Sequence, residues 1–228
     1  MKKTLLLLLI LLCSNTIIAQ NKSRFNTVDK YSAKSEVNWS GSYSYGTTLF
    51  IGDLNQFSSE KYLPNVALAI KFNKEFNAKN ALQLAVIAGR SSGENTFEGL
   101  LPLQTFRAQY VKSYLAFRKA ISPIENNKGK TIPQLHLIFG AGYYYGNTYN
   151  TNYINPDEDL LLILNQDIWS FVFPTGLELS YYIQDKWGAV ISVTNNLFNK
   201  DIIDLYEDSS NGPDNQMIIN LGLCYKFN

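Results

Sequence analysis

The chain has 228 residues, a formal net charge of +1, 17% charged residues and 14% aromatic residues, among them 15 tyrosines. It has no basic excess to suggest nucleic acid as a partner. Mean hydropathy is −0.13, and beyond the amino terminus no apolar run is long enough for a spanning helix.

The amino terminus opens with the cationic Met1-Lys2-Lys3, followed by the leucine-rich stretch from Thr4 to Leu12 and then Ile17-Ile18-Ala19-Gln20. This is the pattern of a secretory signal peptide, residues 1–19, with cleavage expected after Ala19. Its apolar core is too short for a transmembrane helix. Cys13 follows Leu12 rather than a small residue, so lipidation is not expected. Loss of Lys2 and Lys3 with the leader changes the charge from +1 to −1. The mature chain keeps a single cysteine, Cys224, which excludes an internal disulfide.

Residues 20–36 are polar and read as a periplasmic lead-in, with residues 37–228 forming the domain that follows. A first strand is expected over residues 37–51, with Trp39, Tyr43, Tyr45, Leu49 and Ile51 on one face and Asn38, Ser40, Ser42 and Ser44 on the other. The second, over 63–73, sets Val66, Leu68, Ile70 and Phe72 against Ala67, Ala69 and Lys71. In the third, 81–90, Leu82, Leu84 and Val86 oppose Gln83, Ala85 and Gly89. The fourth, 105–119, sets Val111, Ser113, Leu115 and Phe117 against Lys112, Tyr114, Ala116 and Arg118.

A fifth strand, 134–145, places Leu135, Leu137, Phe139, Ala141 and Tyr143 opposite Gln134, His136, Gly140 and Gly142. The sixth, 168–183, alternates Trp169, Phe171, Phe173, Leu177, Leu179, Tyr181 and Ile183 with Ser170, Pro174, Gly176, Glu178 and Ser180. Pro174 removes a ladder donor, so a bulge is expected there. The seventh, 187–196, follows the tight Gln184-Asp185-Lys186 turn.

The last segment, Met217 to Asn228, is the clearest of all. Met217, Ile219, Leu221, Leu223, Tyr225 and Phe227 alternate with mostly small or polar residues. Twelve residues at ~3.3 Å each, tilted by ~45°, span roughly 28 Å, close to the hydrocarbon thickness of a bilayer. The expected fold is therefore all-β: an antiparallel transmembrane β-barrel of eight strands whose last strand closes the ring. Ten strands would result if residues 160–164 belonged to a further strand.

Connection lengths set the orientation. With both termini periplasmic, the outer loops fall at 52–62, 91–104, 146–167 and 197–215, and the inner turns at 74–80, 120–133 and 184–186. The 120–133 turn is longer than that scheme prefers.

The inward positions carry Lys71, Lys112, Arg118, Glu178 and Lys226, whereas the outward ones are nearly free of charge. Lys112 and Glu178, both near mid-strand, are expected at matching depth. An eight-stranded barrel has room only for its own side chains, so a salt-bridged, filled lumen is favoured over a gate or narrow ion path. Trp39, Trp187, Tyr225 and Phe227 fall near the inner rim as an aromatic girdle. Tyr143, Tyr144, Tyr145, Tyr149 and Tyr153 fall near the outer rim, where carbohydrate binding is the alternative reading.

His136 is the only histidine, near the periplasmic start of its strand, and no serine with an acidic orienter accompanies it. No catalytic residue, metal site or cofactor is expected. The acidic run Asn155-Pro-Asp-Glu-Asp159 lacks calcium-loop spacing and reads as a solvated loop.

Three segments carry a family likeness. Tyr45-Gly-Thr-Thr-Leu-Phe-Ile-Gly-Asp-Leu-Asn55 resembles the first strand and loop of PorG-type outer-membrane β-barrel proteins. Phe173-Pro-Thr-Gly-Leu-Glu-Leu-Ser-Tyr-Tyr-Ile-Gln-Asp-Lys-Trp187 resembles their penultimate hairpin. Phe198-Asn-Lys-Asp-Ile-Ile-Asp-Leu-Tyr206 is similar to the loop that follows. The resemblance implies an outer-membrane component that serves type IX protein secretion and meets periplasmic secretion-ring proteins; many barrels of this kind have no assigned role. Within it, Gly52, Asp53, Leu54 and Asn55 form a family-like loop motif whose chemistry also suits a plain turn.

The reading that follows is a non-enzymatic structural or interaction protein of the bacterial outer membrane. Its expected surroundings are outer-membrane lipid and lipopolysaccharide, with the barrel insertion machinery engaging the C-terminal strand. A small pore or transporter is the alternative, and a lipid A-modifying barrel enzyme the third.

Overall fold

The computed structural model describes residues 38–51, 65–77, 79–95, 104–121, 133–155, 160–183, 186–199 and 214–227. The signal peptide, the lead-in, the Gly52–Asn55 motif and most of the acidic run and of the 198–206 segment lie outside them. Eight strands are present: β1 Asn38–Ile51, β2 Val66–Asn77, β3 Asn80–Asn95, β4 Gln104–Ala120, β5 Gln134–Asn155, β6 Leu160–Ile183, β7 Trp187–Phe198 and β8 Asn215–Phe227. Each pairs antiparallel with its sequence neighbour, and β8 pairs with β1 from Trp39↔Phe227 to Ile51↔Asn215. That last ladder closes the ring and leaves the sheet without a free lateral edge along the paired region.

Alternation explains why the ring closes with this face outward. Leu68, Ile70 and Phe72 on β2, Leu84 and Val86 on β3, and Leu221 and Leu223 on β8 are exposed, while Ala67, Ala69, Lys71, Ala85 and Asn220 between them are buried. An exterior band of this size and apolarity is solvated by acyl chains rather than water. Among the described residues no helix is long and apolar enough to cross a membrane; the crossing elements are strands.

Four expectations are corrected. Residues 160–164 belong to β6, which removes the ten-strand alternative. The expected outer loop 146–167 is largely paired strand: β5 and β6 stay in register from Gly146↔Ile168 to Tyr153↔Leu161. Likewise β3 and β4 remain paired from Arg90↔Gln109 to Asn95↔Gln104, inside the expected 91–104 loop. Backbone pairing continues beyond the apolar band because a ladder needs neighbours, not lipid, so hydrophobic alternation ends before the strands do.

The fourth concerns Pro174, which produces no bulge. The β5–β6 register is the same on both sides of it, Phe139↔Thr175 and Gly142↔Val172, and Pro174 still faces Asn196 of β7. The missing N–H only interrupts pairing toward β5. Just past this interruption, where pairing resumes at Gly142↔Val172, β5 turns Gly142 inward. A Cβ there would collide with the Ser113 carbonyl oxygen and the Tyr114 side chain, so only glycine lets β4 and β5 approach.

At the end where β1 begins and β8 finishes, β2 and β3 meet in a tight turn. Asn77 Oδ1 accepts hydrogen bonds from the backbone N–H groups of Lys79 and Asn80, both at 2.9 Å. The side chain thus supplies the turn's acceptor.

Candidate functional site in the barrel lumen

Inward side chains from six strands converge on Glu178 of β6. Lys71 Nζ, from β2, lies 2.9 Å from Glu178 Oε2 and 2.9 Å from Ser192 Oγ of β7. Arg118 Nε, from β4, lies 2.9 Å from the other carboxylate oxygen, and its Nη2 donates to Ser180 Oγ at 3.3 Å. Gln83 Nε2 on β3 donates to Asn73 Oδ1 at 2.9 Å, and Asn73 Nδ2 donates to Ser40 Oγ of β1 at 3.2 Å. Lys71, Arg118 and Glu178 are all at most 3% exposed.

With a cation on each oxygen, the carboxylate is held by charge-assisted hydrogen bonds, and the desolvation of three charges is offset only while all three remain. The cluster cross-braces the wall. It has no spare carboxylate oxygen to offer a passing ion.

Lys112 is elsewhere. Its Nζ donates to Gln216 Oε1 of β8 at 2.9 Å and sits 5.6 Å from the Tyr110 ring centroid. The expectation that Lys112 and Glu178 share a depth is therefore incorrect. Strand tilt and shear displace equal sequence positions to different levels around the barrel, so mid-strand does not mean mid-lumen. Around Lys112, Tyr110 bonds Thr48 Oγ1 through its hydroxyl at 2.7 Å and stacks on Tyr144 with centroids 5.6 Å apart. Asn196 Nδ2 donates to the Gln216 carbonyl at 2.8 Å.

Lys226 joins neither group. Its ammonium lies 4.0 Å from the Tyr182 ring centroid, a cation–π contact at the terminal end of the barrel. Tyr182 there packs in a small cluster with Val190 and Cys224. Of the five expected lumen residues, three form one network and two stand apart.

The lumen is also less polar than expected. Phe50, Phe106, Ile168 and Ile218 are all buried inward, and the rings of Phe50 and Phe106 meet at 4.6 Å. They belong to an apolar cluster that runs down through Tyr144, Ile87 and Ile138. Parity identifies them: Phe50 is in phase with the buried Ser40, Ser42, Ser44 and Thr48 and opposite in phase to the girdle. Tyr144 is likewise inward and buried, not part of the outer aromatic rim, whereas Tyr143 and Tyr149 are exposed.

His136 is buried, with its Cα opposite that of Glu178 in the β5–β6 ladder, and its Nδ1 has no hydrogen-bond partner among the described residues. Among those residues no three histidine, cysteine or acidic groups converge as a metal site.

The girdle residues come together at the terminal end. Trp187 and Tyr225 are partners across β7–β8 with ring centroids 4.6 Å apart, Tyr225 and Phe227 lie 5.3 Å apart, and Phe227 is the β1 partner of Trp39. Lys74 sits over the Trp39 ring at 5.4 Å. Aromatic rings with a nearby cation suit the level of lipid headgroups.

No protein-family model and no curated protein matches the chain. Solved structures do resemble it. Ail, the attachment invasion locus protein of Yersinia pestis, crystallised with the heparin analogue sucrose octasulfate, aligns with a TM-score of 0.47 and 14% identity, over 84% of this chain and 99% of that one. Neisserial surface protein A aligns with a TM-score of 0.45 and 9% identity, over 83% and 97%. A major outer membrane protein from Thermus thermophilus gives 0.49 and 11%, over 83% and 99%. Values this low carry no assignment of function.

Proposed function

We propose that this chain is a bacterial outer-membrane barrel, exported through a leader cut after Ala19, that works as a non-enzymatic docking component of the cell envelope. The supporting observation is the β5–β6 ribbon. β6 pairs with β7 no further than Val172↔Phe198, and Asn199 bonds the backbone of Phe171, so from residue 169 to Leu160 that side of β6 has no neighbour among the described residues. Ile163 and Leu164, on opposite faces of β6, are 61% and 40% exposed. A strand whose edge has no neighbour among the described residues, with apolar side chains on both faces, can accept an extended segment of another protein.

A lumen crossed by ion pairs and capped by Phe50 and Phe106 favours this role over a pore. The concrete form is an accessory role in type IX protein secretion, in contact with periplasmic secretion-ring proteins; its support is the PorG-type resemblance of the segments quoted above. Assembly would use the C-terminal strand β8, ending in Tyr225 and Phe227, as the signal to the insertion machinery.

The test uses a photo-reactive residue at position 163 or 165 in cells, with a second probe at the periplasmic end beside Lys186. The expected result is crosslinking to a defined envelope protein, a secretion-ring protein for the periplasmic probe. Adducts with the insertion machinery alone would overturn the docking role.

A further inference from the structure

The outer wall carries a feature that the lumen does not explain. Across β2, β3, β4 and β5 lies an open groove of about 450 Å³, lined by Val66, Leu68, Ala88, Val111 and Tyr145, with Arg90, Gln109 and Asn147 also on its walls and Gly89 and Tyr110 completing it. The register orders these residues into two rows. Leu68↔Ala88, Ala88↔Val111 and Val111↔Tyr145 make an apolar row, and Arg90↔Gln109 with Gln109↔Asn147 makes a polar row one pleat nearer the loop end. Ala88 is the small residue between larger neighbours, and it gives the wall its depression. One further pleat on, Arg107 pairs with Ser92, diagonal to Arg90.

Arg90 and Arg107 are both exposed on the lipid-facing side. Diagonal neighbours across a ladder stand ~7–8 Å apart, a gap that two long side chains close on one anion. Among the described residues the ion pairs both belong to Glu178, so neither guanidinium has a carboxylate partner there. Of the acids on neighbouring strands, Asp167 lies beyond Asn147, which donates to it at 2.8 Å, and Glu94, opposite Thr105, is diagonal to Arg107 in the β3–β4 ladder. An arginine facing hydrocarbon at mid-membrane costs ~2–4 kcal/mol, and at the headgroup level ~0–1. Arg90 one pleat above an apolar depression, with Arg107 one pleat further, matches a ligand with an anionic head and a greasy tail.

We propose that this groove binds a phosphate-bearing membrane lipid, with an acyl chain along Leu68, Ala88, Val111 and Tyr145 and the phosphate held between Arg90 and Arg107. Guanidinium groups bind phosphate in bidentate fashion, and Gln109 adds a neutral donor between them. The ligand's apolar part fixes the source as a lipid rather than free phosphate. This proposal rests on the outer-membrane reading above.

The test compares the full barrel with Arg90→Gln/Arg107→Gln and Ala88→Phe variants in mild detergent. Heat-modifiable migration is checked first on each sample; a wild-type chain that dissolves without detergent would defeat the outer-membrane reading itself, independently of any lipid result. Native mass spectrometry then follows binding of diphosphoryl lipid A and of its fully dephosphorylated form. Wild type is expected to prefer the phosphorylated lipid by about tenfold, with that preference abolished in the double arginine variant. Ala88→Phe, which fills the depression, is expected to lower occupancy of both lipids while the barrel stays intact. Equal retention of the two lipids by wild type, unchanged retention in the arginine variant, or displacement by millimolar inorganic phosphate would overturn the proposal.

Discussion

Lys71 on β2 and Glu178 on β6 meet at 2.9 Å although their strands are four apart in a ring of eight, so this ion pair spans the barrel from one wall to the opposite one. Lys112 on β4 and Gln216 on β8 repeat the arrangement at another level, again four strands apart. Two struts cross the lumen, and only one of them is an ion pair.

Glu178→Leu leaves Lys71 and Arg118 buried with no anion. Breaking such a pair typically costs ~3–5 kcal/mol. The variant is expected to unfold at lower urea concentration and to lose its compact band at lower temperature. Adding Lys71→Met to Glu178→Leu should restore part of the loss, because one stranded charge is removed. No recovery in the double variant would show that the coupling lies elsewhere.

Lys112→Met is expected to behave in the opposite way. Lys112 is a buried amine whose hydrogen bond goes to the neutral amide of Gln216, so its removal relieves desolvation and forfeits one hydrogen bond. Unfolding free energy in urea should stay within about 1 kcal/mol of wild type or rise above it. A loss as large as that of Glu178→Leu would mean that Lys112 has an anionic partner.

Gly142→Val places branched carbons against the Ser113 carbonyl and Tyr114, atoms that belong to backbone or packed lumen. The β4–β5 ladder cannot yield locally because both strands are paired on their other sides. Expression should yield aggregated protein with no heat-modifiable band, whereas Gly142→Ala should fold in reduced yield. A wild-type level of folded Gly142→Val would refute the close approach.

Conductance separates the sealed barrel from the pore. Wild-type protein in planar bilayers should give no stable open level, because Phe50 and Phe106 fill the lumen toward the loop end and the Glu178 network crosses it in the opposite half. A reproducible open state in wild type would revive the transporter alternative.

Tryptophan depth can be read by quenching with brominated lipids. Trp39 and Trp187 lie at the terminal end and Trp169 toward the opposite end, all three exposed on the outer wall. Single-tryptophan variants should therefore be quenched most by bromines near the headgroups and least by bromines at the chain ends. Strongest quenching from the bilayer centre would contradict the girdle.

The strand count, the outward faces and the inward charges were legible along the chain, because a strand's side chains alternate with period two and lipid tolerates almost no charge on the face it touches. Phe50, Phe106 and Tyr144 were legible by the same parity, but they were masked by the assumption that a lumen is polar; inside a small barrel, a wall-to-wall filling of side chains accepts aromatic rings as readily as amides. The ends of β3, β5 and β6 were not legible, since hydrophobic alternation stops at the edge of the membrane band while hydrogen-bonded pairing goes on.

By itself, the order of residues determined a closed ring of alternating strands with a greasy exterior. Which lumen charges meet was decided only in three dimensions: Glu178 takes Lys71 and Arg118 and leaves Lys112 to Gln216. Tilt and stagger set the height of every inward side chain, and that geometry depends on all eight strands at once. The same stagger lines up Arg90, Arg107 and the small residue Ala88 on one patch of the outer wall, a neighbourhood that no single strand contains.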